Sequence, residues 1–179
     1  VLEKEGVLKR VYGGALALND SSHEIPSKFR DRIHTAEKDI IAAKATALVS
    51  KGDSLFLDGS TTCLALARRL KGIPDITVIT NGLEIINELK GNPEIKVVST
   101  GGELNMLTNS FYGVLAAGLL KDINLDFCFI SAAGISLDAG VTEPNPYNIF
   151  IKRSIIKNSA RAVLLMDSSK FGKVTLNRV

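Results

Sequence analysis

The 179-residue chain has no tryptophan, and its aromatic residues amount to 6% of the total. That scarcity argues against platforms that stack nucleic-acid bases, which need several large rings. Its two cysteines, Cys63 and Cys128, stand far apart without metal-ligand spacing, and His23 and His34 do not complete a zinc set with them. Neither thiol has a visible His or Asn partner, and both lie in or beside apolar patterns. They read as buried structural thiols of a reduced, cytoplasmic protein. No apolar run approaches the roughly 18 residues that span a bilayer, and the first residues lack the apolar stretch of a secretion signal. The chain is therefore expected to be soluble. Charge of one sign is also lacking: 22 basic against 19 acidic residues leave a net charge of +3, too mixed a balance for a stand-alone nucleic-acid binder. Val1 stands where an initiator Met would, and Asn177-Arg178-Val179 is no obvious ending, so the chain is expected to be cut at both ends.

What is present is a 45% hydrophobic content dominated by Val, Ile, Leu and Ala, with 15 glycines. That mixture suits an open α/β sheet. Residues 2–6 read as the end of a helix, and residues 7–16, with Gly13 and Gly14 between two apolar runs, as a short hairpin. The polar stretch 19–34, containing Pro26, reads as a linker or surface segment. From Thr35, which can cap a helix, the apolar positions Ile40, Ile41, Ala45, Leu48 and Val49 recur at helical spacing, with Glu37 in the first turn. Apolar runs at 54–57, 76–80, 95–99, 127–130 and 162–166 then alternate with a helical pattern carrying Leu64, Ala65, Ala67, Arg68 and Leu70 and with others at about 83–90, 113–120 and 149–159. At least five strands alternating with helices predict a mostly parallel sheet covered on both faces.

Ligands of such sheets bind beyond the carboxyl ends of the strands, which directs attention to five turns. Asp58-Gly59-Ser60-Thr61-Thr62 places small and hydroxyl residues at a helix N-terminus, where free amides and the helix dipole favour a phosphate. No Lys follows Gly59, so this is no Walker sequence, and Ser60 or Thr61 can equally serve as a plain helix cap. Thr80-Asn81-Gly82 offers an amide that can read a hydroxyl, and Thr100-Gly101-Gly102 permits close backbone approach. Both also fit ordinary turn chemistry. Ser131-Ala132-Ala133-Gly134-Ile135 keeps the cleft free of bulk. Asp167-Ser168-Ser169-Lys170 supplies the one cation of the set, Lys170, whose alternative is a solvated surface position. Converging hydroxyls, amide, glycines and a cation suit a small phosphorylated polyol. Asp58, Asp138, Glu143 and Asp167 are the carboxylates available for catalysis. None forms an acid-base pair in sequence, Asp138 reads as a turn residue, and Glu143 falls in a Pro-rich loop.

Several stretches in this order and spacing resemble the DeoR family of bacterial transcriptional repressors. They are residues 6–15; Phe29-Arg30-Asp31-Arg32 with Glu37-Lys38; 53–62; Thr77-Val78-Ile79-Thr80-Asn81; Gly101-Gly102; Gly134-Ile135; and Asp167-Ser168-Ser169-Lys170-Phe171-Gly172. The resemblance covers nearly the whole chain. It implies an effector-binding domain whose open, Rossmann-like sheet is similar to ribose-5-phosphate isomerase and the coenzyme A transferases. It further implies a winged helix-turn-helix upstream, of which residues 1–18 are a remnant, followed by the 19–34 segment and the sensor domain at 35–179. By resemblance the turn at Asp58, Gly59, Ser60, Thr61 and Thr62 holds the phosphate of a sugar-phosphate effector, with Thr80, Asn81, Gly101, Gly102, Gly134 and Lys170 around the sugar. Lys4, Lys9 and Arg10 lie near operator DNA, and the subunits pair as homo-oligomers. No cofactor, metal or catalytic residue is implied. A sugar-phosphate isomerase or transferase on the same scaffold is the rival expectation, weakened by the absence of a carboxylate in 131–136.

Overall fold

The computed structural model describes residues 25–179 and the backbone of 8–11 and 14–17. The helix end expected at 2–6, the Tyr12-Gly13 turn, residues 19–24 and the side chains of Lys9 and Arg10 lie outside the described residues. The elements run in chain order as β1 (Leu8–Val11), β2 (Gly14–Ala17), α1 (Ser27–Arg30), α2 (Thr35–Thr46), β3 (Ser54–Leu57), α3 (Thr61–Leu70), β4 (Ile76–Thr80), α4 (Leu83–Leu89) and β5 (Ile95–Ser99). There follow β6 (Glu103–Asn105), β7 (Ser110–Tyr112), α5 (Val114–Leu119), β8 (Leu125–Ile130), β9 (Gly134–Ser136), β10 (Gly140–Glu143), α6 (Pro146–Lys157), β11 (Ser159–Leu164) and β12 (Asn177–Arg178), with a 3-10 turn at Ser168–Lys170. β1 and β2 form an antiparallel hairpin, as the apolar runs around the glycines predict.

Five of the strands make a wholly parallel sheet in the order β11-β8-β3-β4-β5. The side chains alternate across it as the strand period requires. Leu55, Leu57, Val78, Phe127 and Phe129 face one way and pack with Cys63, Leu66, Ala67 and Leu70 of α3. Phe56, Ile79, Cys128 and Ile130 face the other way and pack with Ala116 of α5 and Ile151 and Ile155 of α6. Both cysteines are free and buried in these two layers. Burial of each large side chain contributes about 1.5–3 kcal/mol, and helices on both faces are what a sheet apolar on both sides needs.

The chain leaves β3 for β4 and β5 on one side and later adds β8 and β11 on the other. The order therefore reverses between β3 and β8, and a crevice opens at their carboxyl ends. Two small antiparallel additions border it: the β6-β7 hairpin, and the three-stranded β12-β10-β9 sheet.

Two local expectations change at α2. Thr35 is its first residue, and the cap is His34, held at φ 53° with no side-chain capping bond. Its buried face is Lys38, Ala42 and Ala45, continued past its end by Val49, whereas Ile40, and Leu48 just beyond the helix, are 60% and 46% exposed. The expected 19–34 linker contains the short helix α1, whose Ser27 is buried. No helix among the described residues is long and apolar enough to cross a membrane.

Candidate functional site

A cavity of about 170 Å³ occupies the crevice, more than ten times the roughly 10–15 Å³ that admits one water. Its floor is the turn between β3 and α3. Asp58 is buried there: Oδ1 accepts the Ser60 amide at 3.1 Å and Oδ2 the Ser131 amide at 2.8 Å. One carboxylate thus ties together the two strand ends that flank the reversal. Gly59 follows because nothing larger fits, since a Cβ at this position would lie 2.7 Å from Ser110 Cβ. Its amide donates to Asn81 Oδ1 at 2.9 Å, and Asn81 Nδ2 donates to the Phe111 carbonyl at 3.1 Å.

Ser60 caps α3, its Oγ accepting the Cys63 amide at 3.1 Å. The Ser60 carbonyl accepts the Leu64 amide, which leaves the amides of Thr61 and Thr62 without an acceptor among the described residues. Two free amides at the positive end of a ten-residue helix are the elements of an anion site. Ser60 is thus the cap of α3, and the amides of Thr61 and Thr62 remain free beside it.

Of the expected site residues, Asp58, Gly59, Ser60, Thr61, Thr62, Asn81 and Lys170 line this one cavity. Thr80, Gly101, Gly102 and Gly134 are not in its lining. Thr80 is fully buried, its hydroxyl donating to the Leu57 carbonyl at 2.7 Å and accepting the Gly82 amide at 2.9 Å. Gly102 allows β7 to approach, since a Cβ there would lie 2.4 Å from the Tyr112 carbonyl oxygen. A Cβ at Gly134 would lie equally close to the Lys173 carbonyl oxygen.

Lys170 is not alone as a cation. Arg30, Lys38, Lys152 and Lys173 also line the cavity, with Asp58, Glu143 and Asp167 as its carboxylates and His34 at the α1-α2 junction. Lys152 of α6 is buried and donates to Glu143 Oε1 and to the Ser131 carbonyl, with Asp58 Oδ2 at 3.5 Å. Burial alone pushes its ammonium down, but the Glu143 and Asp58 carboxylates outweigh that and hold it above the ordinary lysine value. Glu143 thus leaves the expected loop for the end of β10, where it is buried in this ion cluster.

Lys38 is buried as well and donates to the Arg30 and Ile33 carbonyls. Burial lowers its ammonium to about 8; Arg30 and Lys170 add to the depression, and Asp31 and Asp167 oppose it. Burial also holds Lys170 below its usual value, against the Asp167 carboxylate. Burial would raise the Asp167 carboxyl, but the Ser169 amide at 2.9 Å and the charge of Lys170 keep it below its usual value. Cys63, whose Sγ donates to the Phe129 carbonyl at 3.3 Å, is pushed well up by burial and then by the Asp58 charge. It is inert as a nucleophile.

Solved structures with the same architecture include the ribose 5-phosphate isomerases of Plasmodium falciparum and Methanocaldococcus jannaschii. The first aligns with a TM-score of 0.55 and 15% identity over 76% of this chain, the second with 0.55 and 17% over 76%. The chain spans about half the length of these enzymes, 52% and 54%, and at such identities the likeness is one of fold. Among curated proteins, the HTH-type transcriptional regulator GolR of Listeria innocua is 42% identical over 178 residues, covering 97% of this chain and 68% of the relative. A putative aga operon transcriptional repressor of Escherichia coli O157:H7 is 31% identical over 99% of this chain and 67% of its own length. The glycerol-3-phosphate regulon repressor of Escherichia coli K12 is 32% identical over 96% of this chain and 68% of its own. The family model for the DeoR C-terminal sensor domain matches residues 33–179, and the chain belongs to that family.

Proposed function

We propose that the chain is the effector-binding part of a bacterial repressor of sugar-related genes and that its switch-point cavity takes a phosphorylated sugar. The observation that carries this reading is the pairing, in one cavity, of two free helix-terminal amides with basic side chains that outnumber the carboxylates. Such a site favours a dianion attached to a polar body. The amides of Thr61 and Thr62 and the hydroxyls of Ser60, Thr61 and Thr62 are assigned to the phosphate, with Lys170 beside the sugar. Asn81, through its hold on the Gly59 amide, and Gly59 itself keep the turn in place. Relatives that include repressors of an aga operon and of a glycerol-3-phosphate regulon support an effector from carbohydrate metabolism.

The β1-β2 hairpin is assigned as the wing remnant of an upstream DNA-binding module, with Lys9 and Arg10 near operator phosphates. Effector binding would change the arrangement of paired subunits in the cytoplasm, provided that the effector binds one arrangement more tightly, typically by about 1–3 kcal/mol. A second reading, a sugar-phosphate isomerase, draws on the shared fold and the three cavity carboxylates. It is disfavoured because Asp58 and Glu143 are committed to Lys152 and residues 131–136 carry no carboxylate. A thermal-shift screen of phosphorylated sugars tests the sensor reading: at least one is expected to raise the unfolding midpoint. Incubation with ribose 5-phosphate is expected to yield no ribulose 5-phosphate, and turnover would favour the isomerase.

A further inference from the structure

Exposed apolar side chains scattered singly are ordinary on a protein surface, whereas adjoining ones mark a surface that is covered. α5 and α6 lie over the same face of the parallel sheet, with Ala116, Ile151 and Ile155 turned inward, so their outward sides share one surface. On it α5 presents Val114 and Leu115, 88% and 77% exposed, and α6 presents Tyr147 and Phe150, 54% and 66% exposed. The Tyr147 ring joins the two helices, its centroid 5.1 Å from that of Tyr112, two residues before α5. At these exposures the four side chains leave on the order of 400 Å² of apolar surface on each chain. Two copies seated face to face would bury about twice that, and the stems of Arg153 and Lys157 bring the total toward the roughly 1,200 Å² at which specific protein pairs begin.

The outward side of α6 is divided along its length. Its first half carries Tyr147 and Phe150 and its second half Arg153 and Lys157, all exposed. Glu103, also exposed and near enough for its charge to bear on the Tyr112 hydroxyl, adds a carboxylate beside the aromatic half. Phe150, Arg153 and Lys157 are spaced three and four apart and form one stripe. A two-fold axis midway between Phe150 and Arg153 sets two such helices antiparallel, with each Phe150 ring under the Arg153 guanidinium of the other copy and each Lys157 toward the other copy's Tyr147 and Glu103. Antiparallel pairing thus matches rings and carboxylate to cations, whereas parallel pairing sets cation against cation. Arg153 is already steadied by its bond to the Arg178 carbonyl at 3.1 Å, which reduces the entropy lost on pairing.

We propose that the outward face of α5 and α6 is an isologous interface between two copies of this chain, centred on Phe150. It rests on the reading of the chain as a sensor with paired subunits and names the surface through which they pair. Asn148, Ile151 and Lys152, on the inner side of the same helix, line the cavity, so cavity and interface lie on opposite sides of α6.

The test is sedimentation equilibrium of the whole chain over a range of concentrations, on the parent, on Phe150→Ser, on Arg153→Glu with Lys157→Glu, and on that pair with Glu103→Lys added. All four side chains are exposed, so the variants are expected to keep the parent's fold, which circular dichroism checks. The parent is expected to dimerise. Phe150→Ser removes the central ring and should raise the dissociation constant about thirtyfold or more. The double charge reversal should weaken pairing about tenfold, and Glu103→Lys should recover part of the loss by restoring opposite charges across the two-fold. A parent that stays monomeric at every concentration would leave the face to another protein or to an upstream module and overturn the interface. Dimers undiminished by Phe150→Ser, or a charge reversal that Glu103→Lys does not relieve, would also overturn it. Dimers that depend on Phe150 while no phosphorylated sugar binds would keep the interface and remove the effector reading. A phosphorylated sugar that stabilises a strictly monomeric chain would do the reverse.

Discussion

The Asp58 carboxylate accepts the backbone amide of Ser131 at 2.8 Å, across 73 positions of sequence. This bond joins the end of β3 to the end of β8, the two strands between which the sheet order reverses. Its other oxygen fixes the Ser60 amide, so the geometry of the α3 N-terminus and the separation of the two strand ends depend on one side chain. Asp58→Asn keeps the size but can accept only one of these amides well and removes a countercharge from Lys152. Urea unfolding should show a loss of about 1–3 kcal/mol, with weaker effector response; a variant as stable and responsive as the parent would contradict the role given to Asp58.

Gly59→Ala is expected to destabilise through overpacking. The added methyl would lie 2.7 Å from Ser110 Cβ, and Gly82 Cα is 3.4 Å away on the neighbouring turn. Displacing these turns should cost about 1–3 kcal/mol and shift the Gly59 amide off Asn81. Chemical denaturation with the same slope and a lower midpoint is the expected result.

Lys152→Ala would leave Asp58 and Glu143 buried without their cation, and breaking a buried ion pair in this way costs about 3–5 kcal/mol. The pH dependence distinguishes this from loss of packing, because protonation of the stranded carboxylates should narrow the gap between variant and parent in acid. For the parent the sign is the opposite of a carboxylate's. The Lys152 ammonium titrates higher folded than unfolded, so its contribution is complete below the ordinary lysine value and is lost only as pH rises through the higher folded value. Stability curves of both proteins from acid to alkaline pH measure this directly.

The case of Lys38 is reversed. Its folded value of about 8 lies below the ordinary one, so between the two the unfolded chain holds a proton that the folded chain has released. Stability from this group therefore rises with pH across that window. An anion beside Lys38 favours the charged form, with Arg30, Lys170, Asp31 and Asp167 as the other charges acting on it. Effector affinity is accordingly expected to fall as pH rises through about 8, with proton uptake on binding. Calorimetry in buffers of different ionisation heat should show that uptake, and Lys38→Met should abolish it.

The sheet was legible because strand and helix periods alternate without ambiguity, and the Asp58-to-Thr62 turn because small and hydroxyl residues between an apolar run and a helix have few other uses. The two buried lysines were not. Lys38 looks like a solvated cation between Glu37 and Asp39, yet it stands at the head of the stripe Lys38, Ala42, Ala45 that α2 buries. Lys152 occupies the same position between Ile149 and Ile155, three residues from each, on the face α6 turns inward. A charged residue lying on an apolar helical stripe is the signal that would have found both. The Glu143-Lys152 pair also depends on β10 and α6 meeting beside β3. Its partners are near in sequence, but Asp58 is brought in only by the fold. Thr80 and Gly102 stand outside the cavity lining for a different reason: a buried hydroxyl bonded to backbone and a glycine beneath a crossing strand carry the same letters as residues that line a cavity.

The most direct measurement compares the unfolding midpoint of the purified chain with a phosphorylated sugar and with the same sugar unphosphorylated, across a set of matched pairs. A ligand at about one hundred times its dissociation constant contributes about 2.7 kcal/mol, a rise of about 5–10 °C for a domain of this size. The expected result is that at least one phosphorylated member gives such a rise while its unphosphorylated partner gives none. An equal response to both members of every responding pair, or no response to any phosphorylated sugar, would contradict the assignment of this cavity to a sugar-phosphate effector.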